Sequence, residues 1–250
     1  MLNPFRRSPL ALVNLLYPPA CLLCSARLPE RPAADAPTGV VCEACAEAMP
    51  RSGRPICSCC GVGLPGAFDA ILRCPRCRTR PFVFDLARAP WRYAGVAREA
   101  IHRFKYQRRW RLGRWLSEGM VTIARSSLPL DEVDAVLPVP LHWLKRRVKG
   151  ENPAELLARC VACALKKAVL PHALRRTRWT TSQTRLSWPA RSRNVRAAFA
   201  AGAAVANRTL LLVDDVLTSG ATAQACAAAL KTAGARRVFV LTAARTPLAR

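Results

Sequence analysis

Two parts of the chain differ in how hydrophobic and polar positions follow one another. Residues 1–85 are rich in proline and glycine and show little sustained periodicity, so a buried core of their own is not expected. From about Ala87 onward, short apolar runs alternate with segments of helical periodicity. The strand-like runs are DAVLPVP, RTLLLV and RVFVLTAAR, and the helix-like segments include ENPAELLARCVACALKKAV and ATAQACAAALKTAG. This alternation predicts an α/β fold with a parallel sheet and helices on both faces.

Local signals indicate the ends of these helices and divide the chain. Asn152 is a favourable N-cap with Pro153 in the first helical position, and Gly234 is expected to end the later helix. A strand followed by one or two basic helices is predicted for WRYAGVAREAIHRFKYQRRWRLGRWLSEGMVTIARSSL. We therefore expect three parts: a small cysteine-rich domain over 1–85, a basic connector over 86–130 that packs on the next domain, and an α/β domain over 131–250.

The composition adds a strong positive charge. Lysine and arginine number 40 against 15 acidic residues, a formal net charge of +25, which concentrates polyanions such as nucleic acid around the protein. The alternative is an ordinary solvated surface rich in arginine. The segment HRFKYQRRWRLGRW interleaves cations with aromatic rings, the usual arrangement for single-stranded nucleic acid, but also fits an amphipathic helix with its rings in the core. The candidate nucleic-acid contacts are Lys105, Arg108 and Arg109.

An apolar segment near the N-terminus imitates a secretory signal. It runs from Leu10 to Tyr17, follows Arg6 and Arg7, and is interrupted by Asn14. It is far shorter than the roughly 18 apolar residues of a membrane span. We interpret it as an amphipathic lead-in that packs on the body of the protein, and we expect no membrane span and a cytoplasmic location.

Eight cysteines in the first part form four C-x-x-C pairs. Each pair can direct two thiolates at one ion, and Zn²⁺ takes four such ligands in a tetrahedron. Gaps of 17 residues between the first two pairs and 13 between the last two predict two structural zinc sites, with a crossed pairing of the knuckles left open. The alternative is disulfides, which a reducing cytoplasm disfavours. The predicted ligands are Cys21, Cys24, Cys42, Cys45, Cys57, Cys60, Cys74 and Cys77.

Other cysteines are not expected to bind metal. Cys59 is the spare residue of the first part, while Cys160 and Cys163 lie in helical sequence and are predicted to pack in the core. Sites closed by four sulfurs leave no position for a substrate, so both zinc ions are expected to be structural. Chelation should then unfold this part of the chain.

Two adjacent acids, Asp214 and Asp215, follow the run RTLLLV. Ligands bind beyond the carboxyl ends of parallel strands, so both carboxylates are expected to emerge there, before a turn and a helix that begins near Ala221. Such a turn offers backbone N–H groups and a helix dipole to a phosphate, and the acids can accept hydrogen bonds from neighbouring hydroxyls. The pattern therefore fits a ribose 5-phosphate; the alternative is a simple helix-capping turn. The predicted phosphate ligands are Thr218, Ser219, Gly220, Ala221 and Thr222.

Four apolar residues, two acids and T-S-G-x-T resemble the fingerprint of type I phosphoribosyltransferases, which bind phosphoribosyl pyrophosphate (PRPP). Joined to an N-terminal double zinc ribbon, the chain resembles the ComF family, including its GntX-type members. PVPLHWLKRRVKGEN matches the family's pyrophosphate loop, TSQTRLSWPARSRNVRAAF its mobile hood, and FKY its basic segment before the sheet. The pyrophosphate-loop residues so identified are Pro140, Leu141, His142, Arg147, Lys149 and Gly150, and the hood residues are Gln183, Arg191 and Asn194.

The resemblance implies binding of PRPP with Mg²⁺ and displacement of pyrophosphate at the ribose C1, with Asp214 and Asp215 as the catalytic pair. It also implies a role in natural transformation, the handling of incoming single-stranded DNA and contact with DNA-uptake proteins. The family usually has Arg-Gly-Phe-Asn-Gln where this chain has Lys-Gly-Glu-Asn-Pro over residues 149–153. Glu151 either joins Mg²⁺ coordination or repels the ligand. The alternative function is a non-catalytic protein that binds single-stranded DNA or acts as a scaffold.

Overall fold

The centre of the fold is a sheet whose strands all run parallel, as predicted. The computed structural model describes residues 18–29, 39–53, 55–66, 72–141, 151–177 and 198–248. The sheet strands are β1 (Leu86–Arg88), β2 (Trp91–Arg92), β3 (Ala135–Pro138), β4 (Ala168–Val169), β7 (Thr209–Leu217) and β8 (Arg237–Arg245). Their order is β1-β8-β7-β3-β4, and β2 continues the edge formed by β1 along β8. The carboxyl ends of these strands therefore meet at one edge of the sheet.

Helices cover both faces, which confirms the predicted fold class. The helices are α1 (Glu43–Glu47), α2 (Pro75–Thr79), α3 (Gly95–Tyr106), α4 (Trp110–Ser127), α5 (Pro153–Leu165) and α6 (Ala221–Thr232). On one face, Leu211 and Val213 pack into a core with α3, α4 and α5. On the other face, Leu210 and Leu212 share a core with α6. Side chains alternate along the strand, so one apolar run fills both cores.

The local helix signals are confirmed. Asn152 caps α5 by accepting a hydrogen bond from the Ala154 N–H at 3.2 Å, and Pro153 is the first helical residue. Gly234 follows α6 with a φ of +89°, a conformation that glycine adopts without strain. A small antiparallel pair, β5 (Leu174–Arg176) and β6 (Phe199–Ala201), stands on either side of residues 178–197 in the chain.

The two halves of the cysteine-rich part lie on opposite faces of the sheet. Val40 and Met49 from the first half are buried in the core that contains α3 to α5. Val62 and Phe84 from the second half are buried in the core that contains α6. The apolar side chains of this part complete both cores of the sheet, in agreement with the expectation that residues 1–85 have no buried core of their own. The division at residues 85 and 130 stays a proposal, and 86–130 contributes β1 and β2 to the sheet.

None of the helices in the described ranges combines the length and the apolar character needed to cross a bilayer. The proposed amphipathic lead-in falls within residues 1–17, outside the described part of the chain.

Candidate phosphate-binding site and zinc sites

The eight predicted zinc ligands form two separate tetrads. In each tetrad all four Sγ atoms lie within 4.8 Å of one another. The Sγ atoms of Cys24 and Cys42 are 3.5 Å apart, and those of Cys60 and Cys74 are 3.8 Å apart. Four sulfurs at about 2.3 Å from a tetrahedral zinc ion would be roughly 3.8 Å apart, so the donor set fits Zn²⁺. Consecutive pairs share a site, which rules out the crossed pairing.

Backbone hydrogen bonds to sulfur support the same assignment. The Cys42 N–H donates to Cys21 Sγ at 3.3 Å, and the Cys74 N–H donates to Cys57 Sγ at 3.3 Å. Such bonds orient thiolate ligands around a metal. Cys59 lies outside both tetrads, as predicted. The prediction for the later pair is wrong, because Cys163 is exposed at the surface of α5 and Cys160 is only half-buried.

Strand β7 continues past the acidic pair, which corrects the predicted end of the strand. The run RTLLLV is only its first part, and the ladder with β8 goes on through the pairs Asp214–Thr242, Val216–Ala244 and Leu217–Arg245. The strand is longer because β8 is equally long and offers backbone partners as far as Arg245. Asp214 and Asp215 thus belong to the sheet near its carboxyl edge, and the loop before α6 is reduced to Thr218, Ser219 and Gly220.

The two carboxylates have different surroundings. Asp215 is buried and forms an ion pair with Lys105 of α3, with 2.6 Å between Nζ and Oδ2. Asp214 continues the alternation of Leu210 and Leu212, which face α6, and its charge adds to burial in raising the pKa of the Cys226 thiol. Adjacent residues of a strand point to opposite faces, so the two acids flank the strand.

Electrostatics separate the two acids further. Burial, and then the charge of Asp215, raises the pKa of Asp214 to about 7. Burial lowers the pKa of Lys105, but the charges of Asp215 and Asp214 outweigh it and the net shift is upward. At neutral pH, Lys105 therefore stays protonated, whereas Asp214 can gain or lose a proton.

The loop before α6 has the geometry of an anion cradle. Gly220 precedes the helix in the left-handed region with a φ of +77°, and the Ser219 hydroxyl accepts a hydrogen bond from the Ala221 N–H at 3.4 Å. A side chain at Gly220 would strike the ring of Phe82, since an ideal Cβ lies 2.6 Å from its Cε1 atom. The first N–H groups of a helix have no partner within it, so those of α6 are directed at this loop.

Only part of the predicted pyrophosphate loop falls within the described residues. Pro140 and Leu141 follow β3 and line a cavity of about 220 Å³. Asn152 lines the same cavity and ties α5 to the end of β3, because its side-chain amide donates to the Val139 carbonyl at 3.0 Å. His142, Arg147, Lys149 and Gly150, and the hood residues Gln183, Arg191 and Asn194, lie outside the described residues.

The basic segment is divided between the site and the surface. Lys105, predicted to contact nucleic acid, reaches into the sheet and pairs with Asp215. Arg108 and Arg109 are exposed. Of the interleaved rings, Phe104 and Trp115 are buried in the core, whereas Tyr106 is 58% exposed. Trp110 is half-buried and packs against the same core, with its ring 5.8 Å from that of Phe104. The core interpretation is thus correct for three of the four rings.

Two residues at the site, Arg76 and Arg245, are not among those predicted from the sequence. A third, Lys105, is predicted to contact nucleic acid, and its place in the FKY motif is the one signal for its contact with Asp215. Arg76 donates a hydrogen bond to the Ser219 carbonyl, and Arg245 donates to the carbonyls of Leu217 and Thr218. No short-range pattern marks these arginines, because they meet the loop only in the folded protein.

The fold and these sites define a class of protein in which two four-thiolate ribbons flank an α/β domain with a strand–loop–helix cradle. A family model described as "Double zinc ribbon domain" matches residues 12–78. The DNA utilization protein YhgH of Escherichia coli K12 is 32% identical over 242 residues, covering 93% of this chain and 99% of that protein. Competence protein F of Haemophilus influenzae is 28% identical over 151 residues, covering 58% of this chain and 66% of that protein. The chain belongs to the ComF family.

Among solved structures, a slight likeness links the chain to glutamine PRPP amidotransferase from B. subtilis, complexed with ADP and GMP. The identity is 23% and the TM-score 0.35, over 51% of this chain and 25% of that one.

Proposed function

We propose that the protein binds PRPP together with Mg²⁺ at the loop between β7 and α6. The observation that carries the proposal is the left-handed Gly220, which ends a short loop directly after the strand that holds Asp214 and Asp215. A phosphate cradle next to carboxylates is what the phosphate and hydroxyls of a ribose 5-phosphate require. The residues proposed to bind the phosphate are Thr218, Ser219, Gly220, Ala221 and Thr222.

The two acids have separate tasks in this proposal. Asp215 is held by Lys105 and can accept a hydrogen bond from a ribose hydroxyl without moving. Asp214, with a pKa near 7, can give up its proton when a cation or a hydroxyl donor approaches. Mg²⁺ bound there with the ligand would neutralise charge on the pyrophosphate group. Carboxylate oxygens are ligands that Mg²⁺ prefers, so the residues present fit the ion.

Calorimetric titration of the zinc-loaded protein with PRPP and Mg²⁺ tests the proposal. We expect saturable binding that weakens about tenfold or more in Thr222→Val, because the variant loses a hydrogen bond to a charged phosphate. Asp214→Asn should weaken binding through loss of the ribose and cation contact. Asp131→Asn should bind like the wild type, because Asp131 is an exposed acid before the start of β3, at the edge of the sheet opposite the site. A wild-type protein that shows no saturable heat would refute the site.

Transfer of the phosphoribosyl group is a separate part of the proposal. Transfer would break the bond between the ribose C1 and the pyrophosphate oxygen and form a bond from C1 to an acceptor supplied from outside. Release of pyrophosphate from PRPP in the presence of the acceptor would support transfer. Saturable binding with no release would support a sensor or carrier of PRPP, and a scaffold would show neither.

We also propose that the exposed basic surface at the start of α4 binds single-stranded DNA. Four arginines are exposed over this short stretch, beside the exposed ring of Tyr106. Cations that track a phosphate backbone and a ring that stacks on a base suit a single strand. The arginines are Arg108, Arg109, Arg111 and Arg114.

Fluorescence anisotropy with a labelled oligothymidylate tests this second function. The double variant Arg109→Ala, Arg111→Ala should bind more weakly and lose roughly 0.7 from the salt-dependence slope for each phosphate contact removed. Arg159→Ala is the matched control, since Arg159 is also exposed but forms an ion pair with Glu155 on α5. Equal affinity and slope in the double variant and the control would contradict the proposed surface.

The wider role rests on the relatives. The names of YhgH and competence protein F refer to DNA utilization and competence. We propose that this chain likewise acts in DNA uptake, with DNA-uptake proteins as partners. A cytoplasmic location belongs to the same proposal, because eight zinc-binding thiolates need a reducing environment.

A further inference from the structure

Two arginines join the second zinc tetrad to the loop of residues 218–220, which is the phosphate site proposed above. The second tetrad consists of Cys57, Cys60, Cys74 and Cys77. We propose that Arg245 and Arg76 are positioning residues that couple this zinc site to the loop, so that zinc and a phosphate ligand stabilise each other's binding. The identity of the ligand rests on the PRPP site proposed above, whereas the contact between zinc site and loop does not.

Arg245 connects the two sites directly. It ends β8 and is buried, with an exposed fraction of 6%. Its Nη2 lies 3.9 Å from Cys60 Sγ, and its Nε donates to the Cys60 carbonyl at 3.3 Å. Its Nη1 donates to the Leu217 carbonyl at 2.8 Å and also to the Thr218 carbonyl. The planar guanidinium of Arg245 thus contacts the zinc ligand Cys60 through Nε and Nη2, and the loop through Nη1.

Arg76 makes the second connection. It lies on α2 between Cys74 and Cys77, two ligands of the same tetrad, and its Nη1 donates to the Ser219 carbonyl. Its guanidinium stacks over the ring of Phe82, with 4.0 Å between Cζ and the ring centroid. The same ring fills the space that a side chain at Gly220 would need. The ribbon therefore forms one wall of the loop.

The charge of the zinc site suits these arginines. Four thiolates and one Zn²⁺ carry a net charge of −2, which compensates two guanidinium groups in a partly buried place. Loss of the metal would remove this compensation together with the shape of the ribbon. The tetrad Cys21, Cys24, Cys42 and Cys45 packs on the other face of the sheet, so the same coupling is not expected there.

The hydrogen bonds also decide which way the loop amides point. In a trans peptide unit the carbonyl and the following N–H point in opposite directions. The carbonyls of residues 218 and 219 are directed at Arg245 and Arg76, so the N–H groups of residues 219 and 220 point away from these two side chains. The Leu217 carbonyl accepts from Arg245 and also from the backbone N–H of Thr246. Successive N–H groups on one side of a loop make an anion site. The arginines thereby orient the cradle without touching its ligand.

Zinc release from the full-length, zinc-loaded protein tests the coupling. A chelator and a colour reporter follow both zinc ions, and a Cys24→Ser, Cys42→Ser variant shows which kinetic phase belongs to the second tetrad. We expect PRPP with Mg²⁺ to slow that phase about fivefold or more and to leave the other phase unchanged, because a ligand that binds the zinc-loaded form preferentially stabilises it against loss of the metal. Arg245→Gln should speed the same phase without ligand, remove the protection by PRPP, and weaken PRPP binding.

Two further variants keep the test decisive. Arg76→Gln, at a half-buried position, should show the same pattern if Arg245→Gln does not fold. Arg237→Gln is the matched control, because Arg237 lies at the other end of β8 and pairs with Glu132. PRPP that binds but protects neither zinc ion would overturn the coupling and leave the proposed function intact. If PRPP fails to bind but Arg245→Gln releases the second zinc faster, the proposed ligand is refuted and the contact between zinc site and loop is still supported. If release of the second zinc from Arg245→Gln is as slow as from the wild type, that contact is overturned.

Discussion

Asp214 and Asp215 are chemically identical neighbours that the fold places in different states. Lys105 supplies a counter-charge to Asp215 at 2.6 Å. Burial and the charge of Asp215 both disfavour the ionised form of Asp214, and they raise its pKa to about 7. An ordinary aspartate in an unfolded chain has a pKa of about 3.9. The folded protein therefore holds a proton on Asp214 over a pH range in which the unfolded chain does not.

This difference predicts a pH dependence of stability. Stability rises with pH where the unfolded state binds more protons, and here the folded state binds more, so the contribution of Asp214 falls as pH rises from about 4 to about 7. Asp214→Asn should remove that loss. We expect the stability advantage of the variant over the wild type to be larger at pH 8 than at pH 5 by about 2 kcal/mol or more, because about a third of the change already lies between pH 4 and pH 5. Urea denaturation of zinc-loaded protein at both values measures the difference.

The matched control for this experiment is Asp131→Asn, at an exposed acid next to β3. It should not gain stability at either pH. An Asp214→Asn variant whose stability relative to the wild type is the same at pH 5 and pH 8 would show that Asp214 is ionised throughout this range.

At the scale of elements, the junction of β3 and α5 is fastened by one side chain. Asn152 accepts from the Ala154 N–H at the helix start and donates to the Val139 carbonyl after the strand. Asn152 is buried, with an exposed fraction of 8%. If its side chain is removed, the Ala154 N–H and the Val139 carbonyl therefore cannot easily form hydrogen bonds with water instead. The same side chain lines the cavity beside Pro140 and Leu141.

Replacing this residue should weaken the junction in a graded way. Asn152→Ala is expected to lower the free energy of unfolding by about 1–3 kcal/mol, because it removes the cap and leaves the Val139 carbonyl without its donor. Asn152→Ser keeps a cap acceptor and should lose less. Chemical denaturation measures both. Equal losses in the two variants would contradict a capping contribution.

At the scale of the whole molecule, the zinc ribbons are built into the fold on both sides. The first ribbon packs with α3 to α5, and Arg103 of α3 donates to the Leu22 carbonyl within it at 2.9 Å. The second packs with α6 and contacts the loop after β7. Each ribbon therefore stabilises a different layer of the α/β fold.

Metal removal should act on the whole chain and differ between the sites. We expect chelation of both ions to lower the temperature of the main unfolding transition, and to do more than melt residues 18–85. Hydrogen exchange should localise the effects. Cys24→Ser should raise amide exchange in α3 and α4, and Cys77→Ser should raise it in α6 and around Gly220. A separate early transition, with exchange in the helices unchanged, would contradict this shared packing.

Much of the fold was predictable because its signals are local. The strands β3, β7 and β8 are apolar runs, and the caps of α5 and α6 depend on residues within a turn of each helix. The two zinc tetrads also follow from short spacings, although only the structure chose between consecutive and crossed pairing. The strand end after Asp215 was not predictable, since it depends on the length of β8.

The sequence by itself determined which chemistry is available: two sets of thiolates, an acidic pair and a glycine-capped loop before a helix. The tertiary structure alone decided how these parts are joined. Arg245 reaches Cys60 across 185 positions of sequence, and Arg76 reaches Ser219 across 143. Lys105 likewise meets Asp215 only because α3 packs beside β7. Such contacts depend on how layers stack on the sheet, and local propensity and spacing carry no information about distant partners.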